Sequence, residues 1–476
     1  MLTVRNFCDN WGMRFPASIG VLMRSTHLSV LLVGCTTAVW AVQVEPVSLR
    51  NEHRLHFGEL GSVSAGAAVA RVTDPSAVWY NPGRLIQTQS PSISGSASIF
   101  ETATTTLEAS DGTYSQSILN SIPGYVGGSG RMPWRDDSRI MWGFGIFVPL
   151  YWDSSLENRN TQTLTFGPPS PGPYSVDTVG RVSTQSQLLV PAVAISVRVT
   201  DDCGIGLSLM LPYYEHRQER NTSERSQTRG LYRSYWEIQE QTVTSLRVGA
   251  GVYHTWGPLD VALAAKSPSW RMTSSSTAEW HSVQASFASG TAVTSDAYID
   301  DGKADFKSPF EATLGVAYTV DAFTAELDAT YLAAVGPYTT VEGDLPIVSR
   351  VFNTGTGLDI TTMSTGTPGD MELEQAWNIA VGAGWGMTTA ITLHLGYAID
   401  HSQLENSNEF SDLDISTLSL GLERKTSRSA VFVGAYTQWS NTGTARVFNS
   451  QVATWEDAAV SISVWGGVLG ASYYLE

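Results

Sequence analysis

Strict alternation of apolar and polar residues over ten or more positions is the feature that most constrains this chain. In residues 391–400 (ITLHLGYAID), every odd position is large and apolar, and the positions between are polar or small. Residues 189–199, 205–211 and 418–423 follow the same pattern. A period of two predicts strands with one apolar and one polar face. Soluble strands average about 5–6 residues, whereas strands that cross a bilayer need about 9–11, so the length favours a membrane-spanning barrel.

The connections between these strands alternate between very short and long. Short breaks fall near residues 134–138, 200–202, 256–258, 320–322, 386–389 and 426–428, and long polar segments cover 102–116, 153–184, 219–230, 271–305, 334–370, 401–411 and 441–456. Short turns opposite long loops are typical of outer-membrane barrels. The spacing predicts an all-β, antiparallel transmembrane barrel of about fourteen strands, with both barrel ends on the short-turn side.

Composition agrees with this fold class and excludes others. Charged residues make up 15% of the chain, against about 25% in soluble domains, and no apolar run of about 18 residues follows the N-terminal region, which excludes a helical membrane protein. The net charge of −17 argues against nucleic acid as a partner. Tyr and Trp near the strand ends predict two interfacial belts. The belt residues are Trp142, Tyr151, Trp152, Tyr213, Tyr214, Trp256, Trp270, Trp377 and Trp439.

The first 41 residues have the features of a signal peptide. A basic start near Arg24 precedes an apolar stretch, and small residues predict cleavage after Ala41. Translation can also begin at Met13 or Met23. The alternative is a lipobox ending in Cys35, which would make that cysteine a lipidated N-terminus. With the leader removed, Cys203 is the remaining cysteine, so the mature chain forms no internal disulfide.

Residues 42–90 do not follow the strand pattern. They are dense in small side chains, Asp74 with Pro75 predicts a helix start, and Asn81 with Pro82 predicts its end. A compact, partly helical segment before the first strand is expected to fold back into the lumen as a plug. The alternative is a periplasmic linker. Residues 91–476 then form the barrel.

Two stretches of this segment resemble the N-terminal hatch of the FadL/TodX family of outer-membrane transporters. They are the small-residue stretch 61–67 and residues 74–85 (DPSAVWYNPGRL). Residues 308–318, 326–330 and 266–268 are also similar to the family. The resemblance implies a fourteen-stranded barrel that is plugged by its own N-terminus and passes long-chain fatty acids or aromatic hydrocarbons. Ligand would be caught among the outer loops, pass to a pocket near the hatch, and leave sideways into the bilayer.

The resemblance also implies where the ligand path is gated and which partners are needed. The gating residues carried over from the hatch are Asp74, Trp79, Asn81, Pro82 and Gly83. Gly83 stands where the family has Ala, which predicts a looser hatch, and the chain ends in Glu instead of an aromatic residue. The implied partners are a hydrophobic small molecule, outer-membrane lipids and the barrel-assembly machinery, and the protein is expected to be a monomer in the bacterial outer membrane.

The chain contains no recognisable enzyme motif, and we predict no cofactor, no metal and no catalytic residue. His394 and Asp400 lie on a polar strand face and are interpreted as lumen residues. The acidic positions 296, 300, 301 and 305 favour a solvated loop over a Ca²⁺ site. The sequence leaves two other functions open, an adhesin or structural barrel and a lipase-like enzyme.

Overall fold

The structure is a computed structural model that describes residues 43–44, 48–88, 91–109, 112–132, 139–164, 174–226, 230–287, 289–342, 345–366, 370–406, 411–440, 443–449 and 454–475. The expected signal peptide, its cleavage site and Cys35 lie outside these residues, as does the short break near 134–138. Among the described residues, no helix has both the length and the apolar character needed to cross a bilayer.

Antiparallel strands make up about three quarters of the described chain. In chain order they are β1 (Gln43–Val44), β2 (Ser92–Ala109), β3 (Gly112–Arg131), β4 (Ile140–Leu164), β5 (Tyr174–Thr200), β6 (Cys203–Met210), β7 (Tyr213–Ser226), β8 (Leu231–Trp256), β9 (Leu259–Lys266), β10 (Trp270–Ser286), β11 (Thr291–Ala304), β12 (Glu311–Val320), β13 (Phe323–Leu332), β14 (Val335–Thr339), β15 (Val341–Glu342), β16 (Leu345–Asn353), β17 (Leu358–Gly366), β18 (Asp370–Leu373), β19 (Ala376–Gly386), β20 (Ile391–Asp400), β21 (Leu404–Asn406), β22 (Ile415–Lys425), β23 (Ser429–Ser440), β24 (Gly443–Asn449) and β25 (Thr454–Tyr474).

The strands close into a fourteen-stranded antiparallel barrel, as the sequence predicts. Closure is made by β2, which pairs with β3 on one side and with the last strand, β25, on the other. Three of the fourteen wall positions are each occupied by two consecutive strands: β6 with β7, β9 with β10, and β11 with β12. The other wall strands are β2, β3, β4, β5, β8, β13, β19, β20, β22, β23 and β25.

Burial alternates along the strands as the sequence pattern predicts. On β20, His394 is 4% exposed and Leu395 is 50% exposed. The exposed apolar side chains face outward as a band, the surface that a barrel presents to lipid, and the polar side chains face the lumen.

Aromatic residues border this band at both edges. The assignment of two residues to these belts is wrong. Trp152 and Tyr214 are 1% and 2% exposed and point into the barrel, where Tyr214 stacks on Phe306 at 3.8 Å. The alternation places every second side chain inside, so position near a strand end does not by itself assign a residue to the girdle. The exposed girdle residues are Trp142, Trp256 and Trp385 on the short-turn side, and Tyr213, Trp270, Trp377, Trp439 and Trp465 on the other.

The long polar segments are the clearest error of the sequence interpretation. They are predicted as loops, but most of their described residues continue the strands as hairpins above the apolar band. The β4–β5 ladder runs unbroken from Leu150↔Leu188 to Leu164↔Tyr174, and β10 with β11 forms a second such hairpin. When both faces of a hairpin are exposed to water, its residues are polar on both faces and show no apolar–polar alternation. A polar strand and a loop therefore look alike in the sequence.

Residues 48–88, which we call the hatch, lie inside the barrel and consist mostly of turns. Their regular structure is a short α-helix, α1 (Ala77–Tyr80), followed by a 3₁₀ helix (Pro82–Gln87). The helix begins at Ala77 and not directly at Pro75 as expected, although Asp74 accepts a hydrogen bond from the Ser76 amide in the way of a capping residue. Asn81 ends α1 and starts the 3₁₀ helix.

Candidate functional site

Glycines on the inner face of the barrel allow the hatch backbone to approach the wall. Strands that face one another across a plugged lumen have little room for side chains, and glycine gives the closest backbone approach. At eight of these positions a Cβ would lie 3.0 Å or less from a hatch atom. They are Gly143 on β4, Gly204 and Gly206 on β6, Gly251 on β8, Gly315 on β12, Gly382 on β19, Gly396 on β20 and Gly421 on β22.

The Asn81-Pro82-Gly83 segment makes the tightest of these contacts. The fully buried Asn81 side chain donates to the carbonyls of Val69 (3.1 Å) and Val252 (3.3 Å), and its oxygen accepts from the Gly83 amide at 3.0 Å. A Cβ at Gly83 would lie 2.7 Å from the carbonyl oxygen of Gly251. Glycine at position 83 therefore brings the hatch closer to β8, which contradicts the expectation of a looser hatch.

Asp74 ties two parts of the hatch together. One carboxylate oxygen accepts from the Ser76 amide at 2.8 Å, and the other accepts from the Glu59 amide. Asp74 is 2% exposed, and burial raises its pKa. Burial also raises the pKa of Glu59 to about 7, and the nearby Asp74 carboxylate adds to this rise. Burial in the hatch therefore favours the protonated form of both carboxyl groups.

Two carboxylates of β13 hold the middle of the hatch. Asp328 accepts from the amides of Ala68 (2.9 Å) and Val69 (3.0 Å). Glu326 accepts from the next amide, Ala70, at 2.6 Å, and pairs with Arg71 at 2.7 Å. These residues lie in the stretch 326–330 that resembles the family in sequence, but their role as acceptors for successive hatch amides is visible only in the structure.

Trp79 belongs to an aromatic cluster between the hatch and the wall. Its ring lies 5.7 Å from Phe57 in an edge-to-face arrangement and 5.5 Å from Phe147 of β4. Phe147 in turn stacks on Tyr125 of β3 at 5.0 Å, and the Lys266 ammonium lies 3.9 Å from the Trp79 ring centre. The cluster places the predicted residue Trp79 beside the meeting point of β3 and β4.

The pairing of β3 with β4 stops inside the apolar band. Their ladder runs from Arg131↔Met141 to Tyr125↔Phe147. On β4 the ladder ends at Phe147, five residues past the girdle residue Trp142. On β19 the two girdles are eight residues apart, at Trp385 and Trp377. The ladder therefore ends before it reaches the second girdle. Beyond this point β3 continues to pair with β2, and β4 with β5. The described residues therefore contain a lateral break in the wall, which we call the seam.

Proline explains why the ladder ends where it does. Pro123 of β3 and Pro149 of β4 stand just beyond the last pair, and neither has an N–H to donate. The register of β4 against β5 also shifts between Phe147 and Leu150, which bends β4 locally.

The hatch covers the inner side of the seam. The Leu55 amide donates to the Pro149 carbonyl at 3.3 Å, and the Arg54 guanidinium donates to the Tyr151 carbonyl at 2.9 Å. Arg54 also forms a two-point pair with Glu101 of β2, at 2.7 and 3.2 Å. Both side chains are essentially fully buried. No local sequence pattern points to Arg54 or Glu101, because the two residues lie far apart in the chain.

The comparisons place this architecture among known structures. No protein-family model and no curated protein sequence matches the chain. A FadL homologue of Pseudomonas aeruginosa matches with 12% identity and a TM-score of 0.53, over 91% of this chain and 100% of that one. The toluene transporter TodX of P. putida matches with 12% identity and a TM-score of 0.56, over 90% and 99%. The Ralstonia pickettii toluene transporter TbuX matches with 12% identity and a TM-score of 0.51, over 90% and 100%.

The fold is that of the FadL/TodX transporters. The outward apolar band and its two girdles are the surface with which such barrels sit in the bacterial outer membrane. In this FadL-type fold, all five residues carried over from the sequence resemblance lie in the hatch. Asp74 and Asn81 stabilise it internally, while Trp79, Pro82 and Gly83 contact the wall.

The lumen of this FadL-type barrel also contains a cavity of about 70 Å³ between the hatch and strands β12, β13, β19 and β20. Charged residues line part of it. Among the described residues, no group of three or more His, Cys, Asp and Glu side chains is arranged to hold a metal ion.

Proposed function

We propose that this protein takes up hydrophobic small molecules, long-chain fatty acids or aromatic hydrocarbons, by passive diffusion through the barrel and out through the seam. The observation that carries the proposal is the end of the β3–β4 ladder inside the apolar band, with the hatch packed over it. The titles of the neighbours with the same fold name toluene transporters and a FadL homologue, which supports a ligand of this chemistry.

The route follows from the barriers that an apolar solute meets on each side of the outer membrane. Polar lipid head groups at the outer surface oppose the entry of apolar solutes, and an aqueous exit into the periplasm would expose the solute to water. A lateral exit in the apolar band avoids both costs, because the solute leaves the protein directly into hydrocarbon. The aromatic cluster of Phe57, Trp79, Tyr125 and Phe147 lines the approach to the seam.

Gating by the ligand requires the hatch to move away from the seam. The hydrogen bonds of Arg54 and Leu55 to β4 hold the closed position, and the Arg54–Glu101 pair fixes Arg54 against β2. A ligand that binds the open position more tightly than the closed one shifts this equilibrium without an energy source. The gating roles proposed for Asp74, Trp79, Asn81, Pro82 and Gly83 are to keep the hatch rigid, so that it moves as a unit.

We further propose how the chain is processed and assembled. Residues 1–41 serve as the signal peptide, 42–90 as the hatch and 91–476 as the barrel. Assembly machinery inserts the chain as a monomer surrounded by outer-membrane lipids. No catalytic role is proposed.

Uptake by whole cells tests the transport function. A strain that lacks its own uptake of the probes should accumulate radiolabelled oleate or toluene when it expresses the protein, and the purified protein should be nearly silent in planar-bilayer conductance. Uptake of neither probe would contradict transport of this ligand class, and a large steady conductance would indicate an open porin. Cell adhesion without uptake would favour the structural alternative.

A reversible crosslink tests the gating step separately. The position of a Cβ on Gly382 is 3.0 Å from the Cβ of Ala67, slightly closer than the roughly 3.5–4.5 Å of natural disulfides. In a Cys203→Ser background, Ala67→Cys with Gly382→Cys should lower uptake when oxidised and restore it when reduced. Either single cysteine is the control. Full uptake by the oxidised double variant would show that this part of the hatch stays in place during transport.

A further inference from the structure

The cavity inside the barrel holds buried polar atoms that have no partner. The cavity has a volume of about 70 Å³, and one water molecule needs roughly 10–15 Å³ of such space. A small functional group therefore fits inside. Three atoms of the cavity's lining residues are buried and unpaired: Oδ2 of Asp400, Oδ1 of Asp328 and Nε2 of His56. Unsatisfied buried polar atoms are rare in folded proteins, and three around one cavity indicate a site that is completed by something else.

The cations in the cavity wall are already paired. Lys266 donates to Glu311 at 2.9 Å. Arg247 donates to the carbonyls of Ser267 and Pro309, both at 2.7 Å, and lies 3.4 Å from Glu311. These side chains keep little capacity for an anionic ligand, which would also be repelled by the Asp400 carboxylate.

Of the two unpaired carboxylate oxygens, Oδ1 of Asp328 lies against the backbone of β12, where a Cβ on Gly315 would be 2.6 Å away. The acceptor that remains for a ligand is Asp400. Its Oδ1 accepts from the Asn378 side chain, which in turn accepts from the His401 amide at 2.9 Å, so the carboxylate is held in a fixed orientation. Its Oδ2 is left free to accept a proton donor. His56 stays neutral, because burial, followed by the charges of His53 and Arg54, lowers its pKa to about 3. A neutral imidazole can donate to or accept from the same ligand group.

We propose that this cavity binds the hydroxyl group of an uncharged amphipathic ligand, such as an alkylphenol or a long-chain alcohol, with Asp400 as the acceptor. A cationic amine fits less well, since Lys266 and Arg247 line or adjoin the same space. This inference rests on the proposed function, because it names the ligand class that the transport path would prefer. The apolar remainder of the ligand would contact the side chains of Leu55, Val69 and Trp79 in the same cavity wall.

Three matched ligands separate hydroxyl recognition from hydrophobic binding. They are an alkylphenol, its methyl ether and the corresponding alkylbenzene, measured by calorimetry with the full-length mature protein in lipid nanodiscs. Hydrogen bonds to a charged group contribute enough to change affinity roughly tenfold to hundredfold. We expect the phenol to bind at least about tenfold more tightly than its ether.

Asp400→Asn tests the assignment of the acceptor. Asparagine keeps an oxygen for Asn378 and replaces the free oxygen by an amide donor, so the preference for the phenol should vanish or reverse in favour of the ether. Alkylbenzene binding should stay unchanged, as should all three affinities in Asp412→Asn, an exposed aspartate away from the cavity.

The outcomes are distinct. Equal wild-type affinities for all three ligands would overturn the proposal and show that the cavity holds water only. A phenol preference that survives Asp400→Asn would overturn the role of Asp400. If none of the three binds, and cells that express the protein take up neither oleate nor toluene, the proposed transport function itself fails.

Discussion

Single glycines decide how the hatch meets the wall. Gly251 of β8 lies against the Asn81 side chain and the Pro82 ring, and Gly206 of β6 lies against the Pro82 carbonyl. In isolation, glycine weakens a strand because it has no side chain to pack and loses more entropy on folding. Here the loss is offset by the hydrogen bond from the Asn81 side chain to the Val252 carbonyl of β8, which forms only when the two backbones are this close.

Gly251→Ala is expected to displace the Asn81 segment while leaving the barrel intact, because the added methyl group overlaps the Asn81 side chain. Planar-bilayer conductance should rise, and heat-modifiable migration on gels should stay as in wild type. Gly384→Ala is the matched control, since a Cβ there lies 3.5 Å from its nearest neighbour, His394, an ordinary contact. Equal conductance of the two variants would show that the Asn81 contact does not seal the lumen.

The two faces of β20 give a second prediction at this scale. Leu395 lies on the lipid-facing side in the middle of the strand, and His394 faces the lumen 2.9 Å from Glu423. Leu395→Arg should impair assembly, since a charge at the bilayer midplane costs about 2–4 kcal/mol. His394→Arg should be tolerated, because the new cation can still pair with Glu423. The folded fraction after refolding into lipid measures both, and similar yields would refute the assignment of faces.

At the scale of elements, the hatch contains buried carboxyl groups whose ionisation follows pH. Glu59 has its pKa raised from 4.5 to about 7, and that of Asp74 is raised as well. A carboxyl group with a raised pKa contributes its full stability to the closed hatch below the ordinary value. That contribution is lost as the pH rises through the raised value.

Conductance should therefore increase between pH 6 and pH 8, as the Glu59 carboxyl loses its proton and the closed hatch becomes less stable. Glu59→Gln keeps a neutral side chain at all pH values and should remain quiet over the whole range. The comparison uses bilayer recordings at fixed ionic strength. A wild type that leaks more at pH 6 than at pH 8 would contradict the sign of this effect.

The elements also show what could be learned from the sequence. The alternation in residues 391–400 predicts β20 and its two faces correctly, because strand period and burial are local properties. The hatch motif at 74–85 locates the plug. By contrast, the seam depends on which strands fail to pair, and the Arg54 network joins residues 47 and 384 positions apart. Such long-range contacts leave no periodic signal in one sequence.

On the scale of the whole molecule, the barrel resolves two conflicting requirements. A closed sheet leaves no free strand edge in the membrane, where each unpaired backbone group costs roughly several kcal/mol. A lateral exit needs such an edge. The seam meets both requirements because Pro149 removes one donor from the edge of β4, and the hatch supplies partners for the carbonyls of Pro149 and Tyr151. In the proposed gating step, movement of the hatch would expose the edge at the same time as it opens the lumen.

The exit route can be mapped directly with a photoreactive hydrophobic ligand. Cells that express the protein take up a diazirine-labelled fatty acid, are illuminated during uptake, and the adducts are located by mass spectrometry. Adducts on both sides of the seam, at Ile122 and Tyr125 of β3 and at Phe147 and Val148 of β4, are the predicted result. Adducts confined to the short-turn end of the lumen, around Ile86 and Arg198, would show that the ligand leaves towards the periplasm and would contradict lateral exit.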